Sequence, residues 1–231
     1  MQQLPLQVGP ADYAVFASYF AGSNGALVHA LNEIAQVRSR SVLWLWGAPQ
    51  TGRSHLLQAT VYAADAAGHR SAYLPLRPGS GLEPDALDGM GELDVVCMDD
   101  IDQVAGSAAW EQQLFSVFEG LRARGARLVM SAACAPLHAR FELPDLVSRF
   151  TSGATFRIRP LTDDEKLGAL KLRSAWRGLD LPDDTAVWLL KHADRAVGAL
   201  FGLLDRLDRE ALAAQKRLTV PFVKSVLESS R

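Results

Sequence analysis

The sequence predicts an α/β domain built on a five-stranded parallel sheet, followed by a small all-helical domain. Three observations carry this reading. Short apolar runs alternate with helix-period segments to about residue 160, a glycine-rich loop separates the first apolar run from the helix after it, and only helical periodicity remains from Leu161 onward.

Residues 1–12 (MQQLPLQVGPAD) hold two prolines, a glycine and no periodic pattern, and read as a flexible tail. An aromatic cluster (Tyr13, Phe16, Tyr19, Phe20) then leads through Gly22-Ser23-Asn24 into a helix with Leu27, Leu31 and Ile34 on one face. Ser41–Trp46 (SVLWLW) suits a strand buried on both faces, with Trp44 and Trp46 as core residues rather than a base-stacking platform. Helix 54–67 follows, ended by Gly68. The alternation continues with strand 71–76, a short helix 85–90, strand 94–98, helix 109–124 ended by Gly125, and strand 127–132. A helical 144–150 and a fifth strand, 155–159, complete it. Ligands of such a sheet collect beyond the C-terminal ends of its strands. Thr162-x-x-Glu165 is a capping box that opens a helix to about Arg177, and further helices are expected near 183–192, 195–214 and 221–228. The expected division is a tail to residue 12, the α/β domain over 13–160 and the helical domain over 161–231.

Composition narrows the class. Of 231 residues, 48% are apolar and 22% charged, which excludes a mostly disordered chain. The longest uncharged apolar run, 41–48, is far too short to span a bilayer. No Lys or Arg precedes Arg38, so no signal peptide is expected to begin here. Cys97 and Cys134 make neither a disulfide framework nor a four-ligand metal site. A reduced, cytoplasmic setting is expected. Net charge is −2, with all five lysines in the last third, and gives no nucleic-acid footprint.

Gly47-Ala48-Pro49-Gln50-Thr51-Gly52-Arg53-Ser54 fits the phosphate loop G-x-x-x-x-G-K-S/T except at Arg53, where the pattern has Lys. The glycines free backbone N–H groups to wrap a phosphate, and the following helix N-terminus adds positive potential. Ser54 is placed to ligate Mg²⁺. Arg53 keeps the charge but is longer, planar and bidentate. His55, beside Ser54, is counted with Gly47–Ser54 and Ser131 among the expected nucleotide-binding residues, the plainer reading being that it only packs against the loop. The competing reading is an ordinary glycine turn; the strand before and the helix after favour phosphate. Leu93–Asp100 (LDVVCMDD) then delivers two carboxylates to the end of a hydrophobic strand. Asp99 is expected to hold Mg²⁺ through water, and Asp100 to orient or deprotonate an attacking water.

Together with the helical tail, these segments resemble the AAA+ ATPases, and within them the DnaA initiator family and its regulatory inactivators. The likeness covers nearly the whole chain, including GRSHLL (Gly52–Leu57), LPDLVSRF (Leu143–Phe150) and LTVPFVKSVL (Leu218–Leu227). It implies ADP, or ATP, held with Mg²⁺ between the α/β domain and a helical lid. It also implies a protein that, loaded on the DNA polymerase III sliding clamp, stimulates ATP hydrolysis by DnaA and so blocks re-initiation of replication. Arg149 matches the family's arginine finger, offered in trans. Gln3-Leu4-Pro5-Leu6-Gln7-Val8 resembles the clamp-binding hexapeptide Q-L-S/P-L-P-L, with Gln3, Leu4 and Leu6 as the contacting residues and its last two positions altered. DnaA proteins carry a DNA-binding domain after the lid. The sequence stops at Arg231, so DNA binding in the initiator's manner is not expected.

Some positions depart from the family. The first sensor falls near Ser131, but Ala132-Ala133-Cys134 replaces the Gly-Asp-Arg that follows it in relatives. The second sensor arginine aligns with Gly198, and Arg195 stands one turn earlier. With Arg53, three parts of the ATPase apparatus are altered, which implies a site tuned to hold nucleotide rather than turn it over. An autonomous remodelling ATPase and a DNA-binding paralogue of the initiator are the alternatives, and a homo-oligomer stays open.

Overall fold

A computed structural model describes residues 14–37, 40–214 and 216–228. Tyr13 and the predicted tail, with Gln3, Leu4 and Leu6, lie outside them. Helix α1 (Gly25–Gln36) precedes β1 (Ser41–Trp46), α2 (Arg53–Ala66), β2 (Ser71–Pro75), β3 (Val95–Asp99), α3 (Ala108–Arg124), β4 (Arg127–Ala132), α4 (Pro144–Thr151) and β5 (Ala154–Arg157). The helical part comprises α5 (Asp163–Trp176), α6 (Asp183–His192), α7 (Val197–Ala214) and α8 (Val220–Glu228). No helix among the described residues is long and apolar enough to cross a membrane.

The five strands form one sheet in the order β2-β3-β4-β1-β5, every pairing parallel. Strand alternation sorts the core into two layers. Trp44, Leu74, Val96, Met98, Leu128 and Met130 face α3 and α4. Leu43, Leu45, Val95, Cys97 and Val129 face α1 and α2. The central strands β3 and β4 are buried along their whole length, so their middles are apolar on both faces while Arg127, Ser131 and Asp99 are buried polar exceptions. A third core of leucines from α5 to α8, with Val223 and Val226, holds the helical part together.

Three boundaries differ by more than one residue from those the sequence predicts. The short helix expected over 85–90 is two single 3-10 turns, Pro84–Leu87 and Met90–Glu92, because Gly89 adopts φ 75° between them and breaks the helical run. Strand β5 begins at Ala154 and ends at Arg157, since the backbone N–H and C=O of Arg159 are both taken by the Asn24 side chain (2.8 and 3.0 Å). Helix α7 starts at Val197, after Asp194 accepts the Ala196 amide at 2.9 Å.

Two buried charges act as structural joints. Arg127, 1% exposed, donates from Nη1 to the carbonyls of Ile34 and Val37 (2.9 and 2.8 Å), meeting acceptors that the end of α1 leaves open. Glu111 is equally buried, and its carboxylate accepts three backbone amides: Gly106 at 2.8 Å, Glu142 at 3.0 Å and Leu143 at 2.7 Å. It thereby ties the loop after β3 to the residue that starts α4. Glu111→Ala is expected to lower unfolding free energy by about 3 kcal/mol, since three donors lose a charged acceptor together. Urea denaturation checks this, and a loss below about 1 kcal/mol would mean that water replaces the carboxylate.

Candidate functional site

The loop after β1 turns because its backbone is committed residue by residue. Gly47 N–H donates to Ala132 O at 3.3 Å, Thr51 Oγ1 donates to Ala48 O at 2.8 Å, and Gln50 takes a left-handed φ of 64°. Gly52 sits at φ 91°, and a Cβ there would lie 2.7 Å from the Tyr19 ring, so only glycine allows that aromatic onto the loop. Tyr19 Oη donates to Thr51 O at 3.3 Å, and burial pushes its phenol up to about 12. His55 contacts Val15 O through Nε2 at 3.0 Å and lies 5.5 Å from the Tyr19 ring; burial pulls its pKa below the ordinary histidine value.

Arg53 folds back over the loop. Its Nη1 donates to Gly47 O at 3.3 Å, and its Nη2 pairs with Asp100 Oδ1 at 2.8 Å, both side chains largely shielded. Burial and the neighbouring Asp99 raise the Asp100 pKa, and the Arg53 guanidinium works against that rise. The carboxylate the sequence assigns to water activation is therefore neutralised by the cation of the phosphate loop.

Asp99 lies deeper, 2% exposed. Its Oδ1 accepts a hydrogen bond from Ser131 Oγ, and its Oδ2 accepts one from Tyr73 Oη at 2.7 Å. Ser131 Oγ in turn accepts the Asp100 amide at 3.0 Å. Ser54 and Gln58, one turn apart on α2, lie against the same phenol oxygen. Burial and Asp99 both raise the Tyr73 pKa, so the phenol stays protonated and donates.

In front of the loop is a cavity of about 470 Å³ between the α/β part and the helices. Its walls include Ala48, Pro49, Gln50, Thr51, Gly52, Arg53, Ser54 and His55 from the loop, and Ser18, Tyr19 and Phe20 from the N-terminal segment. Five cationic side chains line it: Arg53, Arg159, Lys166, Arg173 and Arg195. No Asp or Glu is among its described lining residues. Such a chamber suits a polyanion. Ser131, Asp99 and Asp100 are not on its wall; they stand behind the loop. Both Asp99 oxygens are already engaged and Asp100 is paired, so these groups, as arranged, do not fit a water-mediated Mg²⁺ site at Ser54 and Asp99.

The position aligned with the second sensor is filled differently. A Cβ on Gly198 would lie 2.7 Å from Gln50 Oε1, so the loop's own glutamine reaches the lid where an arginine side chain would begin. Arg195 pairs at 3.5 Å with Asp163.

Arg149 is outside this cavity, on the opposite face of the sheet from α2. Its Nη2 pairs with Glu119 at 3.0 Å, and its guanidinium lies 4.1 Å from the Phe115 ring centroid. It remains 24% exposed. Sequence reasoning missed Tyr73, Gln58 and the lid cations Lys166 and Arg173. Tyr73 reads as one more alternating strand residue until the register Pro75↔Asp99 brings it beside the carboxylate.

Comparison with known proteins places these features. Residues 163–227 match the family model described as the Hda lid domain. Domain III of the DnaA replication initiation protein of Thermotoga maritima superposes with a TM-score of 0.81 at 18% identity, over 96% of this chain and 98% of that one. AMPPCP-bound DnaA from Aquifex aeolicus gives 0.72 at 19% identity, over 86% of this chain and 66% of that one. The Thermotoga maritima RuvB Holliday junction branch migration motor gives 0.66 at 16% identity, over 93% and 73%. The structural likeness shows the fold, that of DnaA domain III, and within it residues 163–227 match an Hda lid domain.

Proposed function

We propose that this chain is an ADP-holding regulator of the replication initiator DnaA, acting from the DNA polymerase III sliding clamp. ADP occupies the cavity between the α/β part and the lid. The chain does little hydrolysis of its own, because Asp100 serves to hold Arg53 and Gly198 offers no sensor cation. Arg149 is lent to the nucleotide of DnaA, which hydrolyses its ATP and leaves the initiating state. Gln3, Leu4 and Leu6 dock the chain on the clamp. Supporting this reading are the Hda-type lid and the AMPPCP carried by the Aquifex aeolicus DnaA of the same fold. The observation that carries it is the position of Arg149, off its own cavity and partly exposed on the far face of the sheet.

The test is conversion of DnaA-bound ATP in the presence of DNA-loaded clamp. Arginine fingers contribute about 10³–10⁵ in rate where they have been separated from other terms. Arg149→Ala is expected to lose most of the stimulation while keeping nucleotide and clamp binding. Arg149→Lys rescues little, since one ammonium cannot reproduce the planar fork. An alanine variant as stimulatory as wild type would remove the in-trans mechanism.

Deleting residues 1–8 separates docking from catalysis. The truncated chain is expected to lose co-elution with the clamp while its thermal unfolding stays unchanged. Retained co-elution would place the docking surface elsewhere.

A further inference from the structure

Three neighbouring strands aim side chains at one point. β2, β3 and β4 lie side by side, and Tyr73, Asp99 and Ser131 all project to the face covered by α2. There Tyr73 Oη donates to Asp99 Oδ2 at 2.7 Å and Ser131 Oγ to Oδ1, while Ser54 lies against the same phenol oxygen. The phenol thus stands between Ser54 and Asp99, the two groups that would share a phosphate-loop Mg²⁺ and its waters. Mg²⁺ demands near-octahedral oxygen ligation and gives up its waters reluctantly, so it needs room as well as charge. Asp99 is 2% exposed, which leaves little room, and Asp100 is tied to Arg53 at 2.8 Å.

The charge balance of the cavity points the same way. A divalent ion in a nucleotide site offsets the repulsion among phosphate oxygens and is held in turn by carboxylates. Here the described walls carry five cations and no carboxylate. Lys166 and Arg195 share Asp163, and Arg173 pairs with Asp205, but both carboxylates lie off the wall. A diphosphate entering this chamber meets guanidinium and ammonium groups on the walls themselves, with no carboxylate there to hold a second cation beside it.

We infer that the chain binds its nucleoside diphosphate as the metal-free anion, with the Tyr73 hydroxyl closing the space between Ser54 and Asp99 to Mg²⁺. The inference rests on the nucleotide reading proposed above. Tyr73 is a positioning residue here: it acts through Asp99 and Ser54.

The experiment is calorimetric titration of ADP into the full chain, in EDTA and in excess Mg²⁺, with the Tyr73→Phe variant alongside. In wild type, Mg²⁺ leaves ADP affinity unchanged or weakens it by drawing free ADP into the Mg²⁺ complex. In Tyr73→Phe, removal of the hydroxyl frees Asp99 Oδ2 and opens the gap, so Mg²⁺ tightens ADP binding about tenfold or more. Tightening by Mg²⁺ of about threefold or more in wild type would overturn the inference while leaving the nucleotide reading intact. A variant that folds, by its thermal unfolding, yet shows no gain with Mg²⁺ would overturn the part given to Tyr73. The wild-type pair of titrations stands whether or not the variant folds. No ADP binding in either buffer would overturn the nucleotide reading, and the inference with it.

Discussion

A buried carboxylate sets the geometry at the C-terminal edge of the sheet. Asp99 is 2% exposed, and an ionised carboxylate taken out of water costs several kcal/mol unless donors replace the water. Two hydroxyls from the flanking strands do so, Ser131 from β4 and Tyr73 from β2. The consequences run outward. Ser131 receives the Asp100 amide, and Asp100 is in the left-handed region at φ 55°. Its carboxylate reaches Arg53, and Arg53 closes on Gly47 O. One chain of polar contacts therefore joins the ends of three strands to the loop that lines the cavity.

The opposite wall of the cavity is set by the N-terminal segment, which binds to both halves of the chain. Asn24 takes the amide and carbonyl of Arg159, fixing the connection from β5 to the lid. Glu165 closes its capping box with Thr162 and also accepts Ser23 N–H at 3.0 Å. Trp176 Nε1 donates to Ala17 O at 3.1 Å from the far end of the same helix. Tyr19 and Phe20, between these fixed points, press on Gly52 and Gly168. A shift of the lid must therefore disturb the segment that lies on the phosphate loop, so the cavity's two walls move as partners.

The alternation of apolar runs made the sheet legible, and the glycine loop made the cavity legible, because both depend on local pattern. The capping box at Thr162 was visible for the same reason. What periodicity could not reveal was pairing across the fold. Tyr73 and Ser131 become partners of Asp99 only through the strand order β2-β3-β4, which no local pattern encodes. Arg127 opens a strand as a charged residue, and its burial depends on the end of α1 arriving above it. The break at Gly89 was missed because an apolar spacing can persist across two turns that share no helix axis. Gly198 was found by alignment alone; that Gln50 fills the space in front of it required the packed lid.

Arg53 and Arg149 lie on opposite faces of one sheet, and their surroundings differ in kind. Arg53 is satisfied at home, with a carboxylate and a carbonyl within reach. Arg149 has Glu119 for one nitrogen and the Phe115 face for its plane, while its buried Nη1 has no hydrogen-bond partner among the described residues. The two faces are also joined. Glu111 grips Gly106, a few residues beyond Asp100, and Leu143, where α4 and its arginine begin. The cavity side and the Arg149 side are thus linked through a single buried carboxylate, a far shorter route than the strands and helices between them in sequence.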